Sequence, residues 1–90
     1  MKRLLVIAAA AVSLFAHAQD YPGSKPITIV VPFAAGGPTD LVARQLGETM
    51  RKTMGGGANF VVENTAGAGG TIGATKVARA APDGHTLLLF

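Results

Sequence analysis

Apolar and polar positions change period along this chain, and each change marks the border of an element. Leu4 to Phe15 is an apolar run broken only by Ser13. Tyr21 to Pro26 has no period; Pro22 and Pro26 exclude helix, and Gly23-Ser24 supplies a bend, so an extended arm is expected. Ile27-Thr28-Ile29-Val30-Val31 is dense in β-branched residues. Its Val30-Val31 pair breaks strict alternation, as in a strand covered on both faces of a parallel sheet. After the small-residue loop Phe33 to Pro38, apolar residues recur at three- and four-residue spacing as Leu41, Val42, Leu46, Met50 and Met54. Arg44, Glu48, Arg51 and Lys52 lie between them, which predicts an amphipathic helix lying on the sheet. Thr39 or Asp40 is the expected cap and Gly55-Gly56-Gly57 the stop. Arg44 is expected on the exposed helix face, away from the loop.

Phe60-Val61-Val62 reads as a second strand, and Asn64 to Gly70 as a second loop of small residues. Thr71 is the expected cap of a second helix running to about Ala81. Pro82-Asp83-Gly84 turns the chain into a third strand beginning at His85. Strand-helix-strand-helix-strand predicts the α/β class, an open parallel sheet with flanking helices and right-handed crossovers. The run Leu87-Leu88-Leu89-Phe90 carries no turn residue, so the expectation is a truncated N-terminal part of a larger domain.

Met1-Lys2-Arg3, the apolar run and Ala16-His17-Ala18 form the three parts of an export leader, residues 1–18, leaving residues 19–90 to fold. A membrane span needs about 20 apolar residues, more than this run provides. Export changes the charge picture. The chain carries a net +3, but Lys2 and Arg3 belong to the leader, so the remainder holds six basic against five acidic residues. No basic cluster longer than Arg51-Lys52 exists, and no nucleic-acid partner is expected. With no Cys there is neither a disulfide framework nor a lipid-attachment site after the leader, and the expected product is periplasmic and unanchored.

Two glycine-rich loops, Ala34 to Pro38 and Ala66 to Gly70, each join a strand end to a helix start. In an open α/β sheet that edge is where ligands bind. A helix start leaves N–H groups unpaired and carries partial positive charge, while glycine lets backbone approach an anion without a Cβ in the way. Glycines that only make tight turns are the competing reading of either loop. Gly67-Ala68-Gly69-Gly70-Thr71-Ile72-Gly73 invites a nucleotide-dependent enzyme, but the sixth position of G-x-G-x-x-G is Ile72 and the loop follows the second strand. His85 is the sole histidine beyond the leader, and no Gly-x-Ser-x-Gly elbow occurs. No catalytic residue, metal set or cofactor is therefore assigned, and the chain is read as a non-enzyme. Glu63 is expected to end its strand in solvent, and Asp40 is the loop-edge carboxylate with a possible ligand role.

Three blocks carry a resemblance: Pro26 through Asp40, Val62 through Gly73, and Ala80 through Leu88. In this order they resemble the opening of the tripartite tricarboxylate transporter receptors, the Bug-type solute-binding proteins. The resemblance implies lobe 1 of a two-lobed periplasmic-binding-protein-like fold that closes on a small organic acid and delivers it to membrane subunits of a tripartite tricarboxylate-type transporter. It implies that Ala35, Gly36, Gly37, Thr39 and Asp40 in the first loop and Ala68, Gly69, Gly70 and Thr71 in the second hold the carboxylate, largely through backbone groups and water. Thr65-Ala66 stands where the family usually has Arg-Pro, and His85 where it usually has Tyr. A non-functional truncated product is the remaining alternative.

Overall fold

A computed structural model describes residues 21–90; the leader lies outside the described residues. Strand β1 is Ile27–Val31, helix α1 Pro38–Met54, strand β2 Phe60–Asn64, helix α2 Thr71–Arg79 and strand β3 Thr86–Leu88, with a 3-10 turn at Ala68–Gly70 before α2. The three strands form one parallel sheet in the order β2-β1-β3. Ile27 to Val31 pair with Phe60 to Asn64, and Thr28 to Val30 with Thr86 to Leu88. The β-branched run therefore occupies the central position, where Ile27, Ile29, Val30 and Val31 are buried. Each such side chain contributes roughly 1.5–3 kcal/mol when removed from water.

With β1 in the middle, the two connections leave in opposite directions, and right-handed crossovers then send the helices to opposite faces. The contacts agree. Ile29 and Val31 pack with Ala43 of α1, flanked by Phe60, Val62 and Leu89. On the other face α2 lies against β1 and β3, and Gly73 is close enough to Pro32 that a Cβ there would come within 2.8 Å of the proline ring.

Three expectations are corrected. Helix α1 does not lie on the sheet through its large apolar stripe: Leu41, Val42, Leu46 and Met54 are exposed, and the buried residues are Asp40, Ala43 and Gly47. Small residues let the helix axis come close; Gly47 sits over Phe60 and Ile29. Neither helix is capped by the side chain expected. Gly37 and Gly70 occupy the cap positions, Pro38 opens α1 with a ring already set at a helical φ, and Thr39, Asp40 and Thr71 fall inside the first turns. Strand β2 runs two residues past Val62 because its ladder with β1 extends to Val31 and Asn64.

Candidate functional site

Both glycine loops leave the carboxyl ends of neighbouring strands, so they share one edge of the sheet. In an order of this kind the crevice between the first and third strands is the topological switch point where ligands bind in doubly wound folds. An open cleft of about 630 Å³ lies along the first loop, lined by Phe33, Ala34, Ala35, Gly36, Gly37, Pro38 and Thr39. A smaller hollow of about 190 Å³ shares Pro38 and Thr39 and adds Val42, Leu89 and Phe90. No charged side chain lines either space.

The first loop turns at Gly36, whose φ of +88° favours glycine. No side chain caps α1, and Pro38 brings no N–H, so the first-turn N–H groups of Thr39 and Asp40 project toward the loop. The Gly36 N–H is already engaged: it donates to Asp40 Oδ2 at 2.8 Å. Asp40 lies beneath the loop, 3% exposed. Its Oδ2 also accepts from Arg44 Nε at 3.1 Å, and its Oδ1 from Asn64 Nδ2 at 3.0 Å. The Gly36 N–H, then Asn64 and Arg44, hold this carboxyl below its ordinary range. The Asp40 side chain thus faces inward, and what this residue can present to a solute is its backbone N–H.

The second loop strings together residues of positive φ: Gly67 at 129°, Ala68 at 48°, Gly69 at 65° and Gly70 at 96°. Ala68 is the one residue among them with a Cβ, in the left-handed region. The turn is closed by the Gly70 N–H on the Gly67 carbonyl at 3.0 Å and by the Thr71 hydroxyl, which donates to the Ala68 carbonyl at 2.8 Å. The Thr71 N–H is also directed at Ala68, leaving Ile72 and Gly73 as the first-turn donors of α2.

Phe90 ties the loops together. Its ring centroid is 5.3 Å from that of Phe33 in the first loop, and a Cβ on Gly70 would lie 2.7 Å from its Cε2. Ala35, Gly36, Gly37 and Thr39 therefore gather in the cleft, while Ala68, Gly69, Gly70 and Thr71 stand across Phe90 at the same edge. Periodicity did not single out Phe33, Phe90, Asn64 or Arg44. Arg44 corrects the expectation for it: it is half exposed but directed at the loop supports, with Nη2 3.4 Å from Asn64 Oδ1 as well as Nε on Asp40. Its position four residues after Asp40, one helical turn on, is the signal that could have found it.

Away from this edge, Glu63 pairs with Lys76 rather than ending free in solvent. His85 anchors the arm before β1: its Nε2 lies 2.8 Å from the Pro22 carbonyl, and its ring meets Tyr21 edge-on at 5.0 Å between centroids.

The sequence profile of the tripartite tricarboxylate transporter receptor family matches residues 42–90. The chain belongs to that family. Solved structures agree with the placement. The periplasmic binding protein BugD is 63% identical, with a TM-score of 0.69 over 76% of this chain and 22% of its own. MatC from Rhodopseudomonas palustris, solved with bound malate, is 56% identical at a TM-score of 0.68 over 76% and 22%. The Rpa4515 protein of R. palustris, solved with adipate, is 38% identical at 0.69 over 77% and 22%. The chain spans 21% to 28% of the length of three curated relatives that it matches. As a member of the receptor family it carries part of the parallel α/β layer of these proteins, with both glycine loops at one edge of the sheet.

Proposed function

We propose that this chain is the opening part of a periplasmic receptor that captures a small carboxylate-bearing solute and delivers it to the membrane subunits of a tripartite tricarboxylate-type transporter. The observation that carries the reading is two helix starts, neither capped by a side chain, at one edge of a parallel sheet beside a cleft with no charged lining. Backbone donors at such a place suit an anion. A hydrogen bond to a charged group contributes about 1.5–3 kcal/mol, so two or three of them supply several kcal/mol without a Lys or Arg. Malate and adipate in two relatives support a di- or tricarboxylate as the ligand class. The leader read from residues 1–18 supports export, and BugD is itself a periplasmic binding protein. We assign Ala35, Gly36, Gly37, Thr39, Asp40, Ala68, Gly69, Gly70 and Thr71 to the solute site, Thr39 and Asp40 offering backbone N–H groups while Gly36, Gly70 and Thr71, whose N–H groups close the loops, shape it, and we assign no catalytic residue.

Titration calorimetry of the native gene product with malate, adipate, citrate and a nicotinamide dinucleotide tests the assignment. Binding of one or more of the carboxylates is expected. A response to the dinucleotide alone would replace it with the nucleotide reading of Gly67 to Gly73.

A further inference from the structure

Asp40 is the one buried charged residue among those described, and each of its oxygens is directed at a different part of the site. Oδ2 holds the backbone of the first loop through Gly36, and Oδ1 holds Asn64, the last residue of β2. Asn64 in turn donates to the Phe33 carbonyl at 3.3 Å, so the root of the second loop is bound to both flanks of the first. The next residue, Thr65, continues the ladder with its N–H on the Val31 carbonyl at 2.9 Å. We infer that Asp40 is a positioning residue that couples the two glycine loops, setting their spacing for a solute that its carboxylate does not touch.

Three features of the arrangement bear on this. A buried carboxylate is tolerated only where donors surround it, and here the donors come from the loop, the helix and the neighbouring strand rather than from one element. Arg44 offsets its charge, so the tether does not present a bare negative group beneath an anion site. The Asn64 amide has one workable orientation, because flipping it would set its oxygen against both the Asp40 carboxylate and the Phe33 carbonyl. Asparagine at position 40 offers a single acceptor oxygen, so it must release either Gly36 or Asn64. Exchanging the two residues rebuilds the bond between positions 40 and 64 and leaves an acceptor for Gly36, but sets a carboxylate oxygen against the Phe33 carbonyl, so only part of the arrangement returns.

The inference rests on the proposed receptor reading for its affinity readout, so the test carries a second readout free of solute. Asp40→Asn, Asn64→Asp and the exchanged double variant are prepared in the native gene product. Malate affinity is measured by calorimetry, and the Gly36 amide proton is followed by NMR on glycine-labelled protein without solute. Asp40→Asn is expected to weaken malate binding at least tenfold and to move the Gly36 amide to higher field; the exchange is expected to recover part of both. If wild type binds no carboxylate while the Gly36 signal moves and recovers as stated, the loop coupling stands and the receptor reading falls. If Asp40→Asn binds malate like wild type, or the exchange recovers nothing, the coupling is overturned. Should Asp40→Asn fail to fold, Asn64→Ala removes one arm of the tether, and undiminished malate affinity in that variant overturns it equally.

Discussion

Replacing Gly73 by alanine probes the closest approach of α2 to the sheet. A Cβ at this position would lie 2.8 Å from Pro32 Cβ, 3.0 Å from Pro32 Cα and 3.2 Å from the Thr65 carbonyl oxygen. Carbon atoms pack at roughly 3.5–4.0 Å, so the helix must retreat by about 0.5–1 Å. No rotamer change relieves the contact, because the neighbours are backbone atoms and a proline ring. Such overpacking costs about 1–3 kcal/mol. Alanine is favoured over glycine by about 1 kcal/mol inside a helix, but Gly73 is only the third residue of α2, where that gain is partial. The clash wins, and a net loss of about 1–2 kcal/mol is expected. Urea denaturation of the native gene product, followed by circular dichroism, should show a lower midpoint at unchanged slope. Gly47→Ala is the comparison: its Cβ would lie 3.2 Å from Phe60 Cβ and 3.6 Å from Ile29 Cδ1, a smaller overlap than at Gly73, and a smaller fall is expected. A Gly73→Ala protein more stable than wild type would refute the tight contact between α2 and Pro32.

Gly36→Val and Gly70→Val force a β-branched residue to φ near +88° and +96°, and each should weaken malate binding at least tenfold, about 1.4 kcal/mol; normal binding by both folded variants would reduce the loops to turns. Lys25 first, at 2.5 Å, and the His85 N–H lower the Asp83 pKa from 3.8 to about 2. Because the folded value is the lower one, the stabilisation is present above about pH 4 and fades as pH falls toward 2. Thermal midpoints of wild type and Asp83→Asn should therefore draw together across that window, and a gap as wide at pH 2 as at about pH 6 would contradict the pairing. Mass spectrometry of the periplasmic fraction should find Gln19 at the N-terminus, and an intact Met1 there would defeat the export reading.

The element order, the parallel class and the two glycine loops were legible in the sequence because each rests on local information. β-branched density, a 3.6-residue period and Gly/Pro punctuation act over a few neighbouring residues. The face by which α1 meets the sheet was not legible. Its large apolar residues suggested one stripe, yet Ala43 and Gly47 make the contact, because small residues permit the closer approach and only the position of Phe60 and Ile29 reveals it. Pro38 and the preceding glycine, rather than Thr39 or Asp40, start that helix, a difference of two or three residues that shifts every first-turn N–H. Nor could spacing show that Asp40 serves the loops from below. Asn64 lies 24 residues away and reaches its carboxylate only because β2 pairs with β1 in register as far as Val31. Local propensity chose the pieces, and the sheet register decided which side chains meet.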